Sequence, residues 1–213
     1  MGSFFLFCSD REAFQRQKIE ESLAEVYLKD LYERKQTEET ENTEVNDTWE
    51  DNVWYIRNGV LYTPDYAKGR LQCVLEIPSV KIRRGVYGGS WEDIYYNLDI
   101  WMVTSARPDY RLGSTHYCIY GHNHTTQNLS FNRLKDVKKG DIFTLTSEAG
   151  IFTYQVNEIF AWWREEVTKK IVDNFKLPKE ECYIITCGRG ENRYKDLVVK
   201  GILQSHMPIK RGL

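Results

Sequence analysis

The sequence predicts a mainly β domain, a barrel or a sandwich, behind an N-terminal helical extension. Two observations carry this. Six or more short runs of β-branched and aromatic residues follow Asn52, most of them bounded by turn-prone residues, the pattern of a closed or two-layered sheet. Aromatics make up 14% of the chain, led by 14 Tyr, and such side chains favour a pleated, half-buried surface. At 213 residues the chain has room for one such domain and an appendage.

The helical extension covers residues 9–36. Ser9 and Glu12 fit a capping box, and Phe14, Ile19, Leu23, Val26, Tyr27 and Leu31 recur at helical spacing. Residues 37–52 are acidic and nearly devoid of apolar side chains, a linker composition. The chain therefore divides into a helical appendage with its linker over 1–52 and a β domain over 53–213. The β domain opens on a hairpin: Val53–Ile56 and Val60–Tyr62 flank Asn58-Gly59, which suits a tight turn. Leu71–Ile77 is a strand stopped by Pro78, and Val80–Ile82 continues it. Ser90 caps a helix running to Leu98, with Asp93 at its third position. Tyr117–Tyr120 is a buried-type strand and Phe131–Val137 a short helical turn. Asp141–Thr146 and Ile151–Phe160 pair across Ser147–Gly150. Trp162–Phe175 is helical and ends before Pro178, and Tyr183–Cys187 and Leu197–Leu203 are the last strands.

The net charge of −2 gives no reason to expect a nucleic-acid partner. No run approaches the roughly 18 apolar residues of a membrane helix. Phe4–Cys8 allows two readings: the end of an N-terminal anchor missing from this chain, or a native N-terminus whose apolar residues pack. The five cysteines, Cys8, Cys73, Cys118, Cys182 and Cys187, are odd in number and irregular in spacing, unlike a disulfide framework. Cys182 and Cys187 stand on opposite faces of one predicted strand, which argues against a bond between them.

Two short segments carry chemistry. Tyr120-Gly121-His122-Asn123 delivers an imidazole at the end of a strand, where Gly121 lets the backbone turn. Tyr183–Cys187 delivers a thiol at the end of another, beside Gly188. Cys73, Cys118 and Cys182 read instead as buried structural cysteines. Arg189 and Arg193 lie between Cys187 and the last strand. A thiol, an imidazole and a guanidinium are the parts needed to attack a carbonyl, move a proton and stabilise an oxyanion. His124 shares an extended face with His122, which raises a metal site, but no well-placed third ligand accompanies the pair and no metal is assigned.

In order along the chain come Leu75-Glu76-Ile77-Pro78 with Val80-Lys81-Ile82, a strand ending in Gly121-His122-Asn123, Gly140-Asp141 at a strand start, Ile185-Thr186-Cys187, an arginine-bearing loop and Leu197-Val198-Val199. Over about residues 70–203 this order resembles the sortases, cysteine transpeptidases of Gram-positive bacteria. Tyr-Gly-His-Asn, the N-terminal helical extension and a helix between the two strands before Cys187 make it most like class B. The class B arginine directly precedes the last Val-Val strand. Asp196 holds that place here, so the role passes to Arg193, with Arg189 the alternative. The segment 157–181 is shorter than the usual class B insertion.

The resemblance implies a closed eight-stranded β-barrel with an N-terminal helical extension and short peripheral helices. It implies Cys187, His122 and Arg193 as catalytic residues, with Asn123 and Thr186 bordering the bound peptide, and no cofactor. The partners it implies are the sorting-signal peptide of a surface protein, of the Asn-Pro-x-Thr-x kind if class B holds, and an amine of a peptidoglycan precursor. The enzyme would work on the outer face of the Gram-positive cytoplasmic membrane, tethered by an N-terminal anchor missing from this chain. Two alternatives stay within the fold: a catalytically weak binding or assembly module, and a pilus-polymerising sortase. A papain-like hydrolase fits less well, since such chains place Cys before His and open the site on a helix.

Overall fold

The computed structural model describes residues 21, 25, 28–29, 55–56, 60–61, 67–123 and 130–208. Strands β1 (Tyr55–Ile56) and β2 (Val60–Leu61) pair antiparallel, as the hairpin expectation requires. The other eight strands are β3 (Arg70–Ile77), β4 (Ile82–Gly88), β5 (Val103–Ser105), β6 (Tyr117–Tyr120), β7 (Ile142–Ser147), β8 (Gly150–Trp163), β9 (Glu181–Cys187) and β10 (Lys195–Met207). They close into a barrel in the order β10-β8-β7-β3-β4-β5-β6-β9, the eight-stranded closure expected. Two contacts in the barrel are parallel, β4 with β5 and β6 with β9.

Side chains from the strands fill the core, and β6, β9 and the middle of β10 are buried on both faces. Cys73, Leu75, Val103, Cys118, Ile119, Phe143, Leu145, Ile184, Ile185, Val198 and Val199 are all 0% exposed. A bulge between Leu71 and Cys73 shifts the alternation of β3. Leu71 thereby joins Val74, Tyr87, Ile100 and Met102 in a second cluster, which also buries Leu28 of the helical N-terminal segment. Burying apolar side chains of this size is worth about 1.5–3 kcal/mol each. The same segment is tied to β4 by Glu21 on Arg84 at 2.6 Å and Glu25 on Arg83 at 3.0 Å. Ser9 and Glu12, the expected capping box, lie outside the described residues.

Helix α1 (Trp91–Asp99) starts as expected. Ser90 accepts from the Asp93 backbone N–H while the Asp93 carboxylate accepts from that of Ser90, a reciprocal capping box. The structure corrects the sequence reading in three places. Val80–Ile82 is not a continuous strand: Pro78–Val80 forms a 3₁₀ turn and Lys81 takes a left-handed conformation (φ 55°) before β4 begins. Trp162 and Trp163 are strand, and helix begins only at α2 (Arg164–Val167), which runs on into a π-helical turn over Thr168–Val172. The long pairing of β8 with β10, reaching Trp163↔Lys195, outcompetes local helix formation there. Finally, β5 and most of β4 are strands that the sequence pattern does not announce. Among the described residues no helix is long and apolar enough to cross a membrane.

Candidate active site

Parallel pairing brings the two chemical segments to one rim of the barrel. Cys118 pairs Tyr183, Ile119 pairs Ile184 and Tyr120 pairs Ile185. Beyond the last pair the Gly121 backbone still donates to the Ile185 carbonyl at 3.2 Å. His122 and Cys187 each lie two residues past that pair, so both backbones leave the barrel at the same rim. Both are half-buried.

Four hydrogen bonds lock the strand ends together. The Thr186 hydroxyl, 1% exposed, donates to the Gly121 carbonyl at 2.7 Å. The Asn123 amide donates to the Cys187 carbonyl at 2.9 Å. The Asn123 carbonyl in turn accepts from Nε of Arg189 at 3.0 Å and also from its Nη2. The His122 carbonyl accepts from Phe131 N–H at 2.8 Å, closing the base of the loop. Asn123 and Thr186, expected at the substrate, thus sit between the two loops.

Two glycines serve close approach. Gly121 was expected to free a turn, but its φ is ordinary; a Cβ there would meet the Phe131 ring at 2.7 Å. At Gly188 a Cβ would stand 2.2 Å from the Asn192 carbonyl oxygen, because the chain folds back sharply after Cys187 and Gly188 N–H donates to Lys195 O at 2.7 Å. The His122 ring is covered by Trp101, with centroids 4.7 Å apart and planes at 52°. Trp101 holds φ 70°, a left-handed conformation costly for a bulky residue.

The charges around Cys187 come from β10 and from the start of α2. Asp196 is its ladder partner on β10, 0% exposed, and the next partner across, on β8, is Trp162. Nε of Arg164 donates to Asp196 Oδ1 at 3.1 Å. Burial pushes the Cys187 thiol up; the Arg164 charge works against that and the Asp196 carboxylate adds to it. Burial also raises the Asp196 carboxyl, opposed by Arg164 and then by the Tyr120 hydroxyl. Arg193 is exposed, its guanidinium 4.7 Å over the Tyr194 ring. The 3₁₀ turn Gly190–Asn192 precedes it and β10 begins after it, at Lys195.

The other thiols differ. Cys73, Cys118 and Cys182 are 0% exposed. Desolvation pushes the first two up to about 12 and Cys182 well above its ordinary value. Among the described residues no three His, Cys, Asp or Glu side chains gather as a metal site; His124 lies outside them.

Sequence reasoning missed Trp101 and Arg164. Nothing in the sequence marks Trp101. Nor does a local signal mark Arg164, whose place follows only from the β8–β10 pairing.

A family model described as Sortase domain matches residues 75–204, more than half of the chain. No curated protein matches significantly in sequence. Among solved structures, Listeria monocytogenes sortase A is 26% identical at TM-score 0.56, covering 66% of this chain and 92% of that one. Sortase C-1 from Actinomyces oris is 26% identical at TM-score 0.51, covering 62% and 73%. Clostridium perfringens sortase C, solved with the C-terminal cell wall sorting motif, is 19% identical at TM-score 0.51 and covers 94% of each chain.

Proposed function

This chain belongs to the sortase family of cysteine transpeptidases, and we propose that Cys187 is its nucleophile and His122 its proton carrier. The observation that supports this reading is the parallel β6–β9 register, which ends both strands at one rim, with the segments after them tied through Asn123 and Thr186.

The substrate is the C-terminal sorting signal of a surface protein. Cys187 as thiolate attacks the threonine carbonyl; an S–C bond forms, the peptide C–N bond breaks, and His122 gives its proton to the departing amine. The acceptor, an amine of a peptidoglycan precursor, then attacks the thioester. A C–N bond replaces the S–C bond, His122 takes the proton and the thiolate is restored. A cationic side chain steadies the carbonyl oxygen as it gains charge. Asn123 and Thr186 border the bound peptide by fixing the two loops around it. Burial raises the Cys187 thiol and so disfavours its thiolate in the resting site.

The class B assignment, with an Asn-Pro-x-Thr-x signal, is supported by Tyr120-Gly121-His122-Asn123 and by the helical N-terminal segment docked on β4. The enzyme would act on the outer face of a Gram-positive membrane, with residues 1–52 as its appendage and 53–213 as its catalytic domain. The test is cleavage of a fluorogenic sorting peptide, with and without an amine acceptor. Activity that depends on Cys187 and yields the amine adduct is expected; cleavage that survives Cys187→Ala would sink the reading. A second reading, a weakly active binding or assembly module, is favoured by the carboxylate opposite the thiol. It predicts binding of the sorting peptide with little or no turnover.

A further inference from the structure

We propose that Arg164 supplies the positive charge of the active site, with Asp196 as the anchor that holds its guanidinium beside Cys187. The inference rests on the reading of Cys187 as nucleophile. Cys187, Asp196 and Trp162 are successive ladder partners on β9, β10 and β8, so they form one lateral row on one face of the sheet. Arg164 lies two residues beyond Trp162. Its backbone N–H still donates to the Tyr194 carbonyl at 3.1 Å, prolonging the ladder by a step. Its side chain therefore turns to the same face as Trp162 and meets Asp196.

The ion pair is asymmetric. The Asp196 side chain is 0% exposed and that of Arg164 52% exposed. Only Nε is used by Asp196, and among the described residues the two terminal nitrogens carry no hydrogen bond. The guanidinium is thus fixed at one end, while its terminal nitrogens stay available to a bound peptide carbonyl. A guanidinium suits this division of labour because its donors form a rigid fork.

The rival arginines are otherwise engaged. Arg189 spends Nε and Nη2 on the Asn123 carbonyl, and Arg193 stacks on Tyr194. Charge balance points the same way. A lone carboxylate opposite the thiol would oppose both thiolate and oxyanion, and the charge of Arg164 offsets it at the sulfur. The charged and titratable groups that act on Cys187 are then Arg164 at the start of α2, Asp196 on β10 and Tyr120 on β6.

Two readouts test this. One is turnover of a fluorogenic sorting peptide. The other needs no substrate: the pH midpoint for alkylation of Cys187 by iodoacetamide, assigned by peptide mass. Arg164→Gln should lower kcat about 10²-fold and move the midpoint up, with Arg164→Lys recovering part of both. Because Arg164→Gln strands a buried acid, the double variant Arg164→Gln/Asp196→Asn is also measured. Its kcat should stay low. Recovery to wild-type turnover would mean that Arg164 only neutralises Asp196, and would overturn the proposal. So would a larger loss in Arg193→Gln than in Arg164→Gln. If the wild type cleaves no sorting peptide, the functional reading falls, yet the midpoints still decide: one unmoved by Arg164→Gln overturns the role of Arg164.

Discussion

Asp196 stands directly opposite Cys187 in the β9–β10 ladder, a fully buried carboxylate paired in register with a half-buried thiol. Neighbouring strands hold these Cα atoms about 5 Å apart, so each charge acts on the other. Asp196 disfavours the thiolate, and burial disfavours the ionised form of both.

A pH dependence of stability follows for Asp196. Its carboxyl is raised in the folded state by burial, so the folded protein holds this proton more tightly than the unfolded chain. The resulting stability is complete below the ordinary carboxylate range, near 4, and is lost as pH rises through the folded value. Asp196→Asn removes that loss. Thermal melts from about pH 4 to 7 should show the difference in Tm between Asp196→Asn and wild type shifting in favour of the variant; a constant difference refutes the account.

Iodoacetamide should modify Cys187 before Cys73, Cys118 and Cys182. At pH 8 a thiol raised to about 12, like Cys73 or Cys118, is ionised in only about one molecule in 10⁴. Complete burial blocks access as well. Mass-spectrometric peptide mapping over time checks this. The rate at Cys187 should climb with pH, since its thiol too lies above its ordinary value.

Asn123 bridges the two loops, donating to the Cys187 carbonyl and accepting from Arg189. Asn123→Ala removes one hydrogen bond worth about 1 kcal/mol and frees the histidine loop. Turnover of the sorting peptide should fall about tenfold while the alkylation rate of Cys187 changes little. A collapse of both rates would mean that Asn123 holds the fold rather than the loop.

His116 is 0% exposed, and burial holds its imidazole below the usual value. Nε2 lies 2.9 Å from the Ile171 carbonyl, which can only accept, so Nε2 carries the hydrogen, and Nδ1 is buried with no hydrogen-bond partner among the described residues. Protonation would add a second buried N–H. Stability is then present above about 6.5 and is lost as pH falls from there through the folded value. His116→Gln should flatten the fall of Tm between pH 7 and 5. A fall as steep as that of wild type would assign the acid sensitivity to other groups.

Much of the fold was legible because β3, β6, β9 and β10 are apolar runs with clear ends, and Ser90 with Asp93 writes its capping box in plain letters. The strand β4 was hidden by composition: Arg83, Arg84, Gly85 and Gly88 read as loop, yet Arg84 is 1% exposed and bound to Glu21. No local signal shows that partner. Trp162 and Trp163 misled for the opposite reason, since a run ahead of charged residues looks helical until its pairing with β10 is known. At the site, Cys187 and His122 were visible as strand-end residues. Arg164 was not, because its place depends on a ladder joining residues 32 positions apart.

The parallel pairing of β6 with β9 has a consequence for engineering. Strands that run the same way discharge their following loops on the same side. The chain therefore leaves the barrel at one rim after both Tyr120 and Cys187, each time from a fixed register. Exchanging either loop alone, outside Gly121–Asn123 and Gly188, gives a modular route to new peptide selectivity on an unchanged frame.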